Sequence, residues 1–178
     1  MQKIPTLFVR DESKSGHPVT QEWNPECLWV RDGEGLATEK VDGTNVKIED
    51  GHLFKRQKPK ERDYNEASYV PCDRADPSDR WAFEGFDRIL GADIVGRVIG
   101  ELIGRKVQGN PYGHTGHTVI PVVPPATVLH IHELPDREFG TLRAFLELNR
   151  MEGIVFHHPD GRMAKIKRRD FGLAWPVR

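Results

Sequence analysis

The chain has 178 residues, enough for one domain with a real core, since domains commonly run to about 100–150 residues and bury more than half of their unfolded surface. Its 26 Lys and Arg nearly cancel 27 Asp and Glu, so no global basic field points to a polyanion, and any basic surface has to be local. Two cysteines, Cys27 and Cys72, are too few for a secreted disulfide framework, and Met1 to Arg10 lacks a signal-type apolar run. No stretch reaches the roughly 20 apolar residues of a membrane span, so a cytoplasmic protein without a membrane partner is expected.

Taken in chain order, short β-like runs lie at Leu36 to Val41, Thr44 to Glu49 and His52 to Arg56. Asp50-Gly51 separates the last two and reads as a tight hairpin that needs positive φ. The polar stretch Lys58 to Asp79 reads as irregular. A helix is expected over Pro77 to Leu90, capped by Asp76 or Ser78. A strand follows at Arg97 to Ile103, then an irregular Gly-, His-, Asn- and Pro-containing loop from Val107 to Thr118. The apolar run from Val119 to Leu129 is broken by three prolines, and Thr127 to His132 reads as a strand. A second helix is expected over Asp136 to Arg150, with Phe139, Leu142, Phe145, Leu146 and Leu148 as its apolar face. Strands at Ile154 to His157 and Arg162 to Lys167 flank Asp160-Gly161, a second hairpin signal. The class implied is α+β, antiparallel sheets with two or three flanking helices, in a single domain over residues 1–178.

The chemistry centres on Lys40 in Glu39-Lys40-Val41-Asp42-Gly43-Thr44-Asn45, at a strand end before a turn. Alone, such a lysine is better read as an exposed strand-end residue beside an Asp-Gly turn. The order of further elements changes that reading: Lys55-Arg56, Gly100-Glu101-Leu102-Ile103-Gly104, Val128-Leu129-His130-Ile131-His132-Glu133, Glu152-Gly153-Ile154-Val155, and Lys165-Ile166-Lys167. A lysine nucleophile attacking a phosphorus must be a neutral amine, yet an ordinary lysine is neutral in only about one part in a thousand at neutral pH. Neighbouring cations such as Lys165 and Lys167 are one way to activate it. Those two are two positions apart, so on a strand both side chains point to one face.

This ordered set, from about Leu36 to Phe171, resembles the covalent nucleotidyltransferase superfamily of ATP-dependent ligases and capping enzymes. Residues 100 to 111 and 165 to 171 look most like RNA ligases. The resemblance implies an ATP-grasp-like ligase adenylation domain, a nucleotidyltransferase without an OB-fold, since eleven residues follow Lys167. It implies an ATP-dependent RNA ligase in which Lys40 takes AMP from ATP, passes it to an RNA 5′-phosphate, and a 3′-hydroxyl then expels AMP. Lys165 and Lys167 would join Lys40 as catalytic residues and meet the phosphates. Glu152 would help bind Mg²⁺ (or Mn²⁺), an ion content with few carboxylates plus waters and phosphate oxygens. Glu101 would accept from the ribose hydroxyls, or else pair with Arg97 or Arg105; Glu39 would accept from the adenine amino group, or simply face solvent. His132 matches the position of the base-stacking aromatic, a departure from Phe or Tyr, with His130 as the alternative on the same strand face. Arg56 would contact the ribose or the 5′-phosphate. Arg168 and Arg169 would face the nucleic-acid backbone.

Other readings stay open at this point. His114-x-x-His117 and His157-His158 invite a metal site, but the cysteines lie far apart and no Cys-x-x-Cys supports one. A non-catalytic RNA- or nucleotide-binding module, a DNA ligase or a capping-type guanylyltransferase would share the fold. No protein partner is evident in the sequence.

Overall fold

The computed structural model describes residues 4–57, 69–89 and 96–176. Half of the polar stretch Lys58 to Asp79, namely 58–68, and Leu90, the last residue expected of the first helix, lie outside the described residues. In chain order the elements are β1 (Phe8–Arg10), β2 (Val19–Trp23), α1 (Leu28–Arg31), β3 (Leu36–Glu39), β4 (Thr44–Glu49), β5 (His52–Arg56), β6 (Tyr69–Pro71), α2 (Arg80–Ile89), β7 (Arg97–Gly104), β8 (His117–Val123), α3 (Phe139–Leu148), β9 (Gly153–His157) and β10 (Met163–Lys167). All strand pairs are antiparallel. The described residues gather into two compact units, one from Val41 to Ala126, the other joining Ile4–Lys40 to the chain from Thr127 onward. No helix among the described residues is long and apolar enough to cross a membrane.

The first unit holds a five-stranded sheet in the order β6-β5-β4-β7-β8. Its β4–β5 hairpin turns at Asp50 (φ 49°) and Gly51 (φ 74°), the two positive-φ positions that a two-residue turn requires. Alternation puts Val46 and Ile48 of β4, Leu53 of β5, and Val98 and Leu102 of β7 in a core with Ala82 and Phe86 of α2. The start of that helix is prepared by Asp76, whose carboxylate accepts from the Ser78 amide at 2.8 Å. The broken apolar run after Thr118 forms the edge strand β8. Pro121 is tolerated there because an edge strand pairs on one side only, here with Gly100 of β7.

The second unit holds a three-stranded sheet, β10-β9-β3, and the β1–β2 hairpin, which the sequence pattern did not disclose. The inner face of the three-stranded sheet is Ala37, Ile154, Phe156, Ala164 and Ile166, and the helix α3 covers it with Leu142 and Leu146, both fully buried and one turn apart. Each large apolar side chain buried there stabilises the fold by about 1.5–3 kcal/mol. Leu148, expected on the same face, is 85% exposed, because a step of two residues from Leu146 carries it about 200° round the helix.

The strand expected over Thr127 to His132 is not formed. Thr127–Leu129 is a 3₁₀ turn in which the His130 amide folds back to Thr127 O at 3.0 Å. Pro124 and Pro125, just before it, have no N–H to give a ladder. The run meets the sheet only locally, through an isolated antiparallel bridge of His130 to Thr38 and the Ile131 amide, which donates to Ala37 O at 3.0 Å.

Gly153 opens β9 opposite Lys167 of β10. A Cβ there would run into Ile166 O and stand 2.9 Å from Lys167 Cα, both backbone atoms. Gly153→Ala is therefore expected to push the two strands apart and lower the unfolding free energy by about 1–3 kcal/mol, measured as a shift in the urea midpoint at constant slope.

Candidate functional site

The β3-β9-β10 sheet has a second face. Pairing sets Thr38 against Val155 and Val155 against Lys165, and Gly153 against Lys167. Lys40 extends β3 by one more ladder bond, its amide donating to Gly153 O at 2.8 Å. Side chains alternate along a strand, so Lys40, Lys165 and Lys167 all rise from the face opposite the apolar core. Lys40 thus comes onto one face with the distant pair Lys165 and Lys167 through register alone.

Glu152, just before β9, accepts a hydrogen bond from Lys40 Nζ at 2.5 Å, with side chains 23% (Lys40) and 13% (Glu152) exposed. Such a charge-assisted bond holds the amine in a fixed place. Burial pushes the Lys165 pKa down from 10.5 to about 8, helped by the positive charges of Lys40 and Lys167 and opposed by Asp170 and Glu152. Lys167 Nζ stands 3.9 Å from Asp170 Oδ1.

Other expected residues fall less centrally. Glu39 pairs with Ile154, so alternation sets it on the side of Ala37 rather than that of Lys40; burial pushes its carboxyl up from the ordinary value. His132 lies in an exposed turn, off any strand, with its ring 6.1 Å from that of His130. His130, bridged to Thr38, shares the lysine face. His157 is on that face too: its Nε2 lies 3.0 Å from Thr38 Oγ1, and burial together with His130 lowers its pKa.

Arg168 does not reach toward a ligand. It is 6% exposed, and its guanidinium donates to Ala174 O at 2.8 Å, Asn149 O at 3.0 Å and Leu146 O, closing the carbonyl end of α3. Arg169 donates to Trp175 O at 3.0 Å. Arg168, expected to face nucleic acid, instead ties the turn after β10 to α3, while Arg169 stays exposed.

The first unit carries the remaining expected residues. Glu101 of β7 pairs with Asn45 of β4 and accepts from Asn45 Nδ2 at 3.0 Å; Tyr69 Oη donates to Asn45 Oδ1 at 2.6 Å. Arg97, one of the arginines considered as a partner for Glu101, points at Glu49 instead, 3.9 Å away. Arg56 is exposed at the end of β5, opposite Tyr69. Its neighbour Lys55 bonds Asp79 at 2.6 Å. In the turn after Lys40, the Asp42 amide donates to Tyr112 Oη at 2.7 Å, and a Cβ on Gly43 would stand 2.5 Å from Leu102 O, so only glycine admits this approach. Asn45 was visible in the motif around Lys40, but nothing in the sequence marked Tyr69 or Tyr112.

His117 is packed rather than metal-facing: its ring stacks on Trp81 at 4.7 Å, its Nε2 accepts from the Lys106 amide at 3.2 Å, and its Nδ1 lies 3.1 Å from Glu84. Among the described residues no group of three or more His, Cys, Asp and Glu is arranged to hold a metal by itself.

A profile of the RNA ligase 1 family matches residues 90–178, half of the chain. The chain belongs to the RNA ligase 1 family. RNA ligase 1 of Danio rerio is 39% identical over 94 residues, 48% of this chain and 27% of that protein. RNA ligase 1 of Rattus norvegicus is 30% identical over 189 residues, 96% of this chain and 56% of that protein. The chain thus spans about half the length of the relative that it matches almost throughout. A looser likeness, with a TM-score of 0.42 and 16% identity, covers 93% of the chain and 59% of an RNA ligase from Naegleria gruberi solved with ATP and Mn.

The lysine face has a measurable cost. The folded pKa of Lys165 lies below its ordinary 10.5, so the unfolded chain binds more protons between about pH 8 and 10.5 and stability rises with pH across that window. Lys165→Met removes the disfavoured ammonium. It is expected to stabilise the protein at pH 7 by something on the order of 1–3 kcal/mol, with the gain fading as the pH approaches 10.5; thermal melts at pH 7 and pH 10 measure it.

Proposed function

We propose that the protein is an ATP-dependent RNA ligase that joins a 5′-phosphate to a 3′-hydroxyl through a covalent Lys40–AMP. The observation that carries this reading is the lysine face: Lys40 held by Glu152 on the same side of one sheet as Lys165 and Lys167. Family membership supports RNA as the acceptor. One nucleotidyltransferase domain over residues 1–178 is part of this proposal, and the family profile supports it for residues 90–178.

In this reading Lys40 Nζ attacks the α-phosphorus of ATP, a P–N bond forms, the α–β P–O bond breaks and pyrophosphate leaves. Lys165 and Lys167 neutralise the charge gathering on the phosphates, the electrostatic positioning on which phosphoryl transfers rely. An RNA 5′-phosphate then takes AMP from Lys40, and a 3′-hydroxyl displaces it. Glu101, with Asn45 and Tyr69 behind it, binds the ribose, and Arg56 the incoming 5′-phosphate. His130, on the lysine face, is better placed than His132 to stack on the base. The adenine contact of Glu39 remains part of this reading.

The carboxylate of Glu152 is a hard oxygen donor already beside a cation, Lys40 Nζ, and fits Mg²⁺ or Mn²⁺ held largely by phosphates and water. When bound, such an ion would supply further neutralisation of phosphate charge. A cytoplasmic setting, with two unpaired cysteines, completes the reading.

Intact mass after incubation with ATP and Mg²⁺ tests it. An AMP-sized gain is expected, absent in Lys40→Ala and reduced at least 100-fold in rate in Lys167→Ala, in line with the loss of one charge-stabilising donor. Absence of any gain, with GTP and Mn²⁺ also tried, would overturn the ligase reading in favour of a binding module. A gain with no transfer to 5′-phosphorylated RNA would leave the nucleotidyl transfer and remove RNA as the acceptor.

A further inference from the structure

The 3₁₀ turn Arg168–Phe171, directly after β10, buries the carboxylate of Asp170 to 2% exposure. Its Oδ2 accepts from the Lys167 amide at 2.9 Å, which fixes the end of the strand that carries Lys167. Its Oδ1 accepts from Arg10 Nη2 at 2.7 Å. The Lys167 ammonium lies 3.9 Å from that same Oδ1, beyond hydrogen-bond reach. One carboxylate oxygen therefore faces two cations and bonds only one of them.

Arg10 is held in that position from its own hairpin. It ends β1, and its guanidinium also donates to His17 O at 2.8 Å and Thr6 Oγ1 at 3.2 Å. A planar fork with three fixed acceptors loses little freedom on bonding a carboxylate, whereas a flexible lysine loses more. A buried carboxylate is costly without a cationic partner. If Arg10 did not supply the charge, the nearest cation that could would be Lys167, by closing a gap of about one ångström.

We propose that Arg10 occupies Asp170 so that the Lys167 ammonium stays free for the phosphates of the nucleotide. Arg10 and Asp170 are then positioning residues for Lys167, and the β1–β2 hairpin contributes to the site without touching substrate. The proposal rests on the ligase reading above, and it predicts an unusual sign: removing the charge of Asp170 repairs the damage done by removing Arg10.

The test is the initial rate of AMP transfer to the chain at varied ATP, with Mg²⁺, for wild type, Arg10→Ala, Asp170→Asn and the double variant, with a thermal melt of each. In Arg10→Ala the carboxylate captures Lys167, and kcat/KM for ATP is expected to fall on the order of tenfold, the size of one phosphate contact. The double variant should recover most of that loss, since an amide leaves the ammonium free, and Arg10→Lys should retain most of the wild-type rate. An ion pair that served only to hold the turn would make the double variant no faster than Arg10→Ala, and that result would overturn the proposal, as would a wild-type rate in Arg10→Ala. If Arg10→Ala does not fold, Arg10→Gln with and without Asp170→Asn makes the same comparison. A wild-type chain that takes up no AMP removes the ligase reading and this inference together; a labelled wild type without rescue in the double variant removes this inference alone.

Discussion

The antiparallel register of β9 with its two neighbours is the constraint on which the rest of the second unit depends. It turns one side of a three-stranded sheet into the apolar wall under α3 and the other into a row of ammonium groups. A shift of one residue would exchange the two faces, burying lysines and exposing Ile154, Phe156 and Ile166. The pressure of the core against α3 therefore fixes the position of the chemistry as firmly as it fixes the fold. Gly153, where a Cβ would clash with the backbone of β10, stands directly after Glu152, the carboxylate that holds Lys40.

Gathering like charges on a partly buried surface opposes folding, and the structure distributes carboxylates to offset it. Glu152 is bonded to Lys40, and Asp170 lies close to Lys167 while bonded to Arg10. Lys165 has no hydrogen-bonded acid of this kind among the described residues, and burial lowers its pKa to about 8. Stability is given up at that position, as is common where a charge must be ready for a ligand rather than satisfied by the protein.

The first unit is organised differently. Its α2-covered face is apolar, while across the sheet Glu101, Asn45 and Tyr69 form a chain of hydrogen bonds from β7 through β4 to β6. A carboxylate whose position is set by an amide, itself set by a phenol, is held in one orientation before any ligand arrives, so less ordering is left for binding to supply. The turn from Val41 to Gly43 is fixed in the same spirit by Tyr112 and by the close approach of Gly43 to β7.

Much of this was written locally in the sequence. The hairpins at Asp50-Gly51 and Asp160-Gly161, the strands β4, β5, β7, β9 and β10 and both longer helices follow from alternation, helical spacing and turn residues, each a property of a few neighbours. Lys40, Glu152, Lys165 and Lys167 were named from ordered short motifs for the same reason. What local pattern did not carry was anything decided by a distant partner. β1 and β6, three residues each, are too short to show a period, and β2 buries only Val19 of its five; the run from Thr127 to His132 looked like a strand, but after two prolines it folds into a turn that meets β3 only at His130 and Ile131. Arg168 looked like a nucleic-acid contact, yet its guanidinium closes the end of α3, because carbonyls 19 and 22 residues earlier lay within its reach. Arg10 gave no signal at all; its meaning comes from a carboxylate 160 residues away. The sequence by itself determined which chemical groups were available and on which side of each strand they stood, since side-chain alternation is built into the backbone. Tertiary structure alone decided which charges meet which, because the free energy of an ion pair depends on distance and burial, and neither exists until the chain has packed.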